Sequence, residues 1–202
     1  MKRSTLLSLL AVATLAVAPW SALAAKFNRK VEIGQAAPEF NGLKGTDGKE
    51  YALGDYKDAK ALVVVFTSNS CPVAVAYEDR VIDLQKKYAD QGVKVLAINC
   101  NSNEGAEDVK KRAEEKQTSY AYLKDSTQQS GRDFGATCTP HVFVLDGSRK
   151  IAYMGAIDDS MNEDKVTKHY VADALDAVLD GKTPTTTETR QRGCGIRYEE
   201  PR

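Results

Sequence analysis

Two apolar patterns alternate along the first half of the chain. Continuous runs rich in β-branched residues at 61–66 and 93–98 predict strands that are buried on both faces. Between them, apolar residues recur at helical spacing over 77–88 and end before Gly92, which predicts an amphipathic helix. A charged surface helix is expected at 105–117. Together these segments form a β-α-β-α unit.

The second half of the chain predicts a hairpin. A short strand is expected at 120–123 and a short helix at 128–134. The apolar runs at 141–145 and 150–154 flank Asp146-Gly147, a dipeptide typical of tight hairpin turns. These two strands should therefore pair antiparallel.

The C-terminal part predicts one more helix and then a tail. Apolar residues recur at helical spacing from Val166 to Val178, and Gly181 would end the helix. Residues 183–202 are polar and show no periodicity, so we expect a tail rather than a domain. The glycine-rich lead-in at 31–57 predicts at most a hairpin at Asp47-Gly48.

This element order predicts an α/β fold with a central, mostly parallel sheet. An antiparallel hairpin should form one edge, and helices should cover both faces. Right-handed crossovers leave few other topologies, and the thioredoxin fold is the simplest of them.

The N-terminus has the features of a secretory signal peptide. Lys2 and Arg3 precede an apolar stretch at 6–17, and small residues at 22–25 form an A-x-A site. Cleavage is expected after Ala24; an uncleaved anchor is the alternative. We expect a signal peptide at 1–24, a thioredoxin-like domain at 25–182 and a tail at 183–202. The protein should be periplasmic or otherwise exported, with no stable membrane insertion after cleavage.

The charge balance argues against nucleic acid as a partner. The chain has 28 basic and 28 acidic residues, so no net positive charge would attract a phosphate backbone. The 42% of hydrophobic residues is enough for one globular domain with its own core.

Four cysteines follow the predicted cleavage site: Cys71, Cys100, Cys138 and Cys194. Two structural disulfides are one reading for an exported protein. Cys71, however, lies between a predicted central strand and the helix that follows, where the helix dipole and free N–H groups stabilise a thiolate. Pro72 suits the first helical turn, because its missing N–H has no partner there. Cys71 is therefore the candidate reactive thiol.

The other cysteines differ in their surroundings. Cys138 precedes Thr139-Pro140 at the start of a strand, and in a thioredoxin fold such a proline is cis and lies beside the active cysteine. Thr139 would then present backbone groups to a substrate disulfide, and Cys138 would lie near Cys71, unless it is only a small apolar filler. Cys194 is flanked by glycines in the tail and is the candidate resolving thiol, with a structural bridge as the alternative. Cys100 is expected to be structural or free.

No metal site or cofactor is predicted. His141 and His169 are the only histidines, and no Cys-x-x-Cys pair occurs. A glycine-rich phosphate loop is also missing from the sequence.

The chain resembles the redoxin superfamily of the alkyl hydroperoxide reductase and thiol-specific antioxidant type, in its peroxiredoxin-like group. The matching segments are GQAAPEF at 34–40, VVVFTSNSCPVAVAYEDR at 63–80, CTPHVFVLD at 138–146, YMGAIDDS at 153–160 and GCGIRY at 193–198. The resemblance implies a thioredoxin fold and thiol-dependent redox chemistry. Two departures stand out: Ala74 replaces the second cysteine of Cys-x-x-Cys, and Thr67 lies four residues before Cys71 rather than three.

The leading hypothesis is an exported thiol oxidoreductase that exchanges disulfides or reduces peroxides. Cys71 would attack, and Cys194 or Cys138 would resolve the product. Residues expected to support the site are Thr67, Pro72, Thr139 and Pro140. The partners would be a protein or small-molecule disulfide or a peroxide as substrate, and an exported thiol reductant. The alternatives are a redoxin fold that binds without catalysing, and a copper chaperone.

Overall fold

The computed structural model describes residues 26–200. The strands are β1 (Leu43–Gly45), β2 (Glu50–Tyr51), β3 (Ala61–Thr67), β4 (Val93–Asn99), β5 (Ala121–Lys124), β6 (Cys138–Thr139), β7 (His141–Leu145), β8 (Ile151–Gly155) and β9 (Cys194–Gly195). The α-helices are α1 (Pro72–Tyr88), α2 (Ala106–Lys116), α3 (Gln129–Phe134) and α4 (Tyr170–Leu179).

Seven of these strands form one sheet in the order β2-β1-β5-β4-β3-β7-β8. Strands β3, β4 and β5 are parallel, whereas β7 and β8 form the antiparallel hairpin at one edge. At the other edge, β1 pairs antiparallel with both β5 and β2. The predicted α/β class and its antiparallel hairpin are confirmed, and the Asp47-Gly48 hairpin joins β1 to β2.

Both faces of the sheet carry a hydrophobic core. Alternate residues of β3 point to opposite faces: Phe66 packs on the side of α3 and Val65 on the side of α1 and α4. Phe143 meets both Phe66 and Phe134 edge to face, and Phe134 is tilted against Phe66, with ring centroids 5.1–5.8 Å apart. The continuous apolar runs of the sequence thus reflect strands covered on both sides.

The last helix begins later than its apolar spacing predicts. A short 3-10 turn at Glu163–Lys165, capped by the Asn162 side chain, ends at an extended Val166. The Asp159 carboxylate then accepts hydrogen bonds from the Thr167 and Lys168 N–H groups, which keeps this segment out of the helix. α4 therefore begins at Tyr170, and Val166 lies outside it.

Residues 183–200 pack along the body of the domain although their sequence is polar. The Thr189 N–H donates to the Met154 carbonyl, and β9 pairs antiparallel with β6. Farther on, the Tyr198 hydroxyl donates to the Ala136 carbonyl. Backbone pairing and isolated contacts of Ile196 and Tyr198 with the core fix this segment, so hydrophobic periodicity could not reveal it.

The predicted signal peptide at 1–24 lies outside the described residues. Within residues 26–200, no helix is both long and apolar enough to span a membrane.

Candidate functional site

Cys71 caps the N-terminus of α1. It is the N-cap residue, Pro72 occupies the first helical turn as predicted, and the Cys71 sulfur accepts a hydrogen bond from the Ala74 N–H at 3.4 Å. Ala74 stands where a Cys-x-x-Cys pair would have its second cysteine. At this position the Cys71 sulfur therefore meets a backbone N–H and not a second thiol. The free N–H groups and the dipole of this helix favour a thiolate at Cys71.

A buried carboxylate holds the loop that leads into Cys71. Glu104, only 5% exposed, accepts hydrogen bonds from the Asn69 N–H at 2.8 Å and the Ser70 N–H at 3.1 Å. The Ser68 hydroxyl also donates to Glu104, and the Ser68 oxygen in turn accepts from the Cys71 N–H at 3.2 Å. The whole Ser-Asn-Ser loop is thereby fixed against one side chain.

These hydrogen bonds also set the charge of Glu104. Burial acts to raise the pKa of Glu104, but the bonds from Ser68, Ser70, Asn69 and Asn99 outweigh it and lower that pKa below the ordinary value. Glu104 is therefore ionised at neutral pH. Sequence reasoning missed it; the signal was a polar Ser-Asn-Ser triplet at the end of a buried strand, which needs an acceptor.

The Thr139-Pro140 peptide bond is cis, as predicted. The Thr139 carbonyl lies 3.1 Å from the Cys71 sulfur and accepts a hydrogen bond from the Cys71 thiol when that thiol is protonated. Thr67 ends β3 one residue before Ser68, and it is Ser68 that contacts the Cys71 backbone. Cys71, Pro72, Thr139 and Pro140 thus come together at the carboxyl end of the central strand.

Cys194 lies against Cys71. In the antiparallel pairing of β6 with β9, Cys194 is the partner of Thr139, and Gly195 is the partner of Cys138. A hydrogen bond with Cys71 is the main cause that raises the pKa of the Cys194 thiol. Cys194 therefore keeps its proton and donates it toward Cys71.

The pKa of Cys71 shifts the other way. Burial alone would raise it, but the hydrogen bonds from Cys194 and from the Ala74 N–H outweigh burial and lower the pKa of Cys71 below its ordinary value. The pair therefore consists of a thiolate-forming Cys71 and a protonated Cys194, which is the polarity that attack followed by resolution requires.

Cys138 and Cys100 have less reactive surroundings. Burial, helped by the charges of Cys71 and Cys194, raises the pKa of Cys138 to about 11. Burial and the Asp125 carboxylate raise the pKa of Cys100 to about 12. Cys138 lies near enough to Cys71 for their charges to interact, but among the cysteines it is hydrogen bonding by Cys194 that lowers the pKa of Cys71.

All four cysteines are unbridged, so the structure describes the reduced form. In the part of the chain that the structure describes, no group of three or more His, Cys, Asp or Glu side chains is placed to hold a metal ion.

A helix-capping thiol beside a cis-proline, on a parallel sheet with an antiparallel edge hairpin, defines a thioredoxin-fold redoxin. The profile of the AhpC/TSA family matches residues 33–154, which is more than half of the chain. The chain belongs to the AhpC/TSA family. This membership confirms the resemblance and the prediction of a thiol-dependent oxidoreductase, with thiol or peroxide substrates and a thiol reductant in general.

The chain is also similar to several individual proteins. A hypothetical protein from Sinorhizobium meliloti is 34% identical with a TM-score of 0.79, over 86% of this chain and 98% of that one. Peroxidoxin BcpB from Mycobacterium tuberculosis shares the fold, with 20% identity and a TM-score of 0.60 over 77% of this chain and 98% of that one. A probable phospholipid hydroperoxide glutathione peroxidase from Solanum lycopersicum is 35% identical over 65 residues, which are 32% of this chain and 38% of that protein.

Proposed function

We propose that Cys71 is the attacking thiolate of this oxidoreductase and that Cys194 resolves the product. The observation that carries the proposal is the pairing of β9 with β6, which sets Cys194 opposite Thr139, the residue whose carbonyl lies 3.1 Å from the Cys71 sulfur. The contact between the two thiols also lowers the pKa of Cys71 and raises that of Cys194. Cys138 is the weaker candidate for resolution, because its pKa is raised to about 11 and it makes no hydrogen bond with Cys71 in the described residues.

With a hydroperoxide, the Cys71 thiolate attacks the terminal oxygen and the O–O bond breaks. The alkoxide that leaves takes up a proton, and Cys71 becomes a sulfenic acid. The Cys194 thiol then attacks the Cys71 sulfur, the S–O bond breaks, and water leaves as the internal disulfide forms. The name of the tomato relative supports this branch.

With a disulfide, the Cys71 thiolate attacks one substrate sulfur and the other sulfur leaves as a thiol after protonation. Cys194 then attacks Cys71 and releases the second substrate thiol. Both branches end in the same Cys71–Cys194 disulfide, and two thiols of an external reductant return it to the reduced form.

Three single variants test the assignment. Cys71→Ser should lose both peroxide consumption and disulfide reduction, since the nucleophile is gone. Cys194→Ser should still react once but turn over at least about tenfold more slowly, because resolution is lost. Cys138→Ser is the control and should stay close to wild type.

Other results with these variants would overturn the assignment of Cys71 or of Cys194. If wild type and Cys71→Ser both stay at the protein-free background in both assays, the protein is a binding module. If they share a rate above that background, catalysis does not use Cys71. If Cys138→Ser instead of Cys194→Ser blocks turnover, Cys138 is the resolving thiol.

Export is a second part of the proposal, and it is supported by the basic, apolar and small-residue pattern of residues 1–24. Expression of the full chain in a Gram-negative host should yield periplasmic protein whose N-terminal sequence begins within a residue or two of Ala25. Cytoplasmic protein that retains Met1 would contradict export.

A further inference from the structure

The edge of β6 is the place where an extended substrate would meet Cys71. Thr139 directly precedes the cis-proline, and its carbonyl lies 3.1 Å from the Cys71 sulfur. A peptide that carries a disulfide gains affinity by adding a strand to such an exposed edge. In this protein the edge is already occupied, because β9 pairs with it and places Cys194 opposite Thr139.

The fit of β9 depends on a glycine before the cysteine. A Cβ added at Gly193 would overlap the Thr139 carbonyl, which is backbone and has no side-chain freedom to move away. At Gly195, on the other side of Cys194, the nearest atom to an added Cβ is the Thr137 carbonyl oxygen at 3.9 Å. Gly193→Ala would therefore push β9 away from Thr139, whereas Gly195→Ala would leave β9 in place.

Contacts outside β9 hold the tail in this position. The Gln128 side chain donates to the Arg197 carbonyl at 2.7 Å and accepts from the Glu199 N–H at 2.7 Å. Tyr198 packs under the Arg132 guanidinium and donates to the Ala136 carbonyl. The strand is therefore anchored to α3 and its flanking loops and does not depend on Cys194 alone.

The docked tail affects large and small oxidants differently. With β9 in place Cys71 is 2% exposed, so no second strand can reach its sulfur. A cavity of about 550 Å³ borders the neighbouring residues Val73 and Pro140 while the tail is docked. Cys71 itself does not line this cavity. We expect a small oxidant to reach its sulfur by a local movement beside Val73, whereas a protein disulfide needs the whole edge of β6.

We infer that β9 is a tethered occupant of the substrate-binding edge and that it selects hydroperoxides over protein disulfides as the oxidants of Cys71. This inference rests on the proposed function of Cys71. In the reduced protein, an external disulfide segment competes with a strand that is part of the same chain. The apparent affinity of the external segment is its intrinsic affinity multiplied by the fraction of molecules in which the tail is released. A hydroperoxide does not enter that competition.

The test compares Gly193→Ala with Gly195→Ala, both in the Cys194→Ser background so that adducts on Cys71 accumulate. Two rates are measured for each: formation of the mixed disulfide with insulin, and formation of the Cys71 sulfenic acid with hydrogen peroxide. Gly193→Ala should raise the ratio of the insulin rate to the peroxide rate at least about tenfold, because it expels β9. Gly195→Ala should leave the ratio within about twofold.

If Gly193→Ala does not fold, Tyr198→Ala in the same background takes its place. This variant should release the tail by removing contacts with α3 rather than by introducing a clash. Faster hydrogen exchange at the Ile196 amide, which donates to the Thr137 carbonyl, verifies release of the strand. An unchanged ratio in a folded, strand-released variant overturns the inference. If Cys71 reacts with neither oxidant in any variant, it is the proposed function that fails.

Discussion

At Cys71, burial and hydrogen bonding act on the same thiol in opposite directions. The sulfur is almost fully enclosed, which disfavours its charged form. The Ala74 N–H, the Cys194 thiol and the end of α1 stabilise the thiolate enough to reverse that effect. One of these donors comes from the C-terminal tail, so the pKa of Cys71 depends on a residue that is remote in sequence.

The dependence on Cys194 predicts a pH effect. The rate of Cys71 alkylation by iodoacetamide should rise with a midpoint below the ordinary thiol pKa of 9.0. Cys194→Ala should move this midpoint upward, because the thiolate loses a donor and its pKa rises. The measurement is the pH profile of the alkylation rate, followed by mass spectrometry of the Cys71 peptide. Cys138→Ala is the control, and equal shifts in both variants would contradict the role of Cys194.

Glu104 predicts a pH-dependent loss of stability. At pH 7, Glu104→Gln should lower the free energy of unfolding by about 2 kcal/mol, because a buried carboxylate loses several charge-assisted hydrogen bonds. The folded pKa of Glu104 is lowered, so its contribution is present above the ordinary carboxyl pKa of 4.5 and is lost as the pH falls through the folded value.

Urea unfolding at several pH values measures this difference. The gap between the unfolding free energies of wild type and Glu104→Gln should therefore narrow as the pH falls below the ordinary carboxyl pKa of 4.5. Glu114→Gln, at an exposed position on α2, is the matched control and should change little. The same gap at every pH would show that the carboxylate charge is not the cause.

Among the elements, the short helix α3 supports more of the site than its six residues suggest. Phe134 packs edge to face against Phe143 of β7 and is tilted against Phe66 of β3. A Cβ added at Gly131 would overlap the Tyr198 hydroxyl, so the tail lies directly on this helix. α3 therefore links the hydrophobic core to the segment that carries Cys194.

Phe134→Ala should lower the free energy of unfolding by about 3–5 kcal/mol, because it leaves a cavity in the core between α3 and the sheet. Met161→Ala, at a side chain that is 56% exposed, should have little effect. Urea denaturation of the two variants provides the comparison. A loss below about 1 kcal/mol for Phe134→Ala would mean that α3 does not anchor to the core as described.

For the whole molecule, the sequence was most informative where burial produces periodicity. The strands β3 and β4, the helix α1 and the β7–β8 hairpin could be predicted because apolar spacing and turn residues mark them directly. The placement of Cys71 and Pro72 followed from the strand-to-helix junction. The helix α4 began later than predicted, because hydrogen bonds to Asp159 compete locally with the helix.

Two parts of the site left no such signal. β9 is two residues long and is fixed by backbone pairing and by the space that Gly193 leaves beside Thr139, which no pattern along the chain expresses. Glu104 looks like any surface carboxylate until the loop of Ser68, Asn69 and Ser70 is placed around it. Long-range contacts made by polar and small residues could therefore be identified only in the structure and not from the sequence.

The pairing of Cys71 with Cys194 is the central claim, and a disulfide map tests it most directly. Reduced protein with all four cysteines is treated with one equivalent of hydrogen peroxide, blocked, digested and analysed by mass spectrometry. The account predicts one main crosslink, between the peptides of Cys71 and Cys194, with Cys100 and Cys138 recovered as thiols. A main crosslink between Cys71 and Cys138, or an unmodified Cys71, would contradict it.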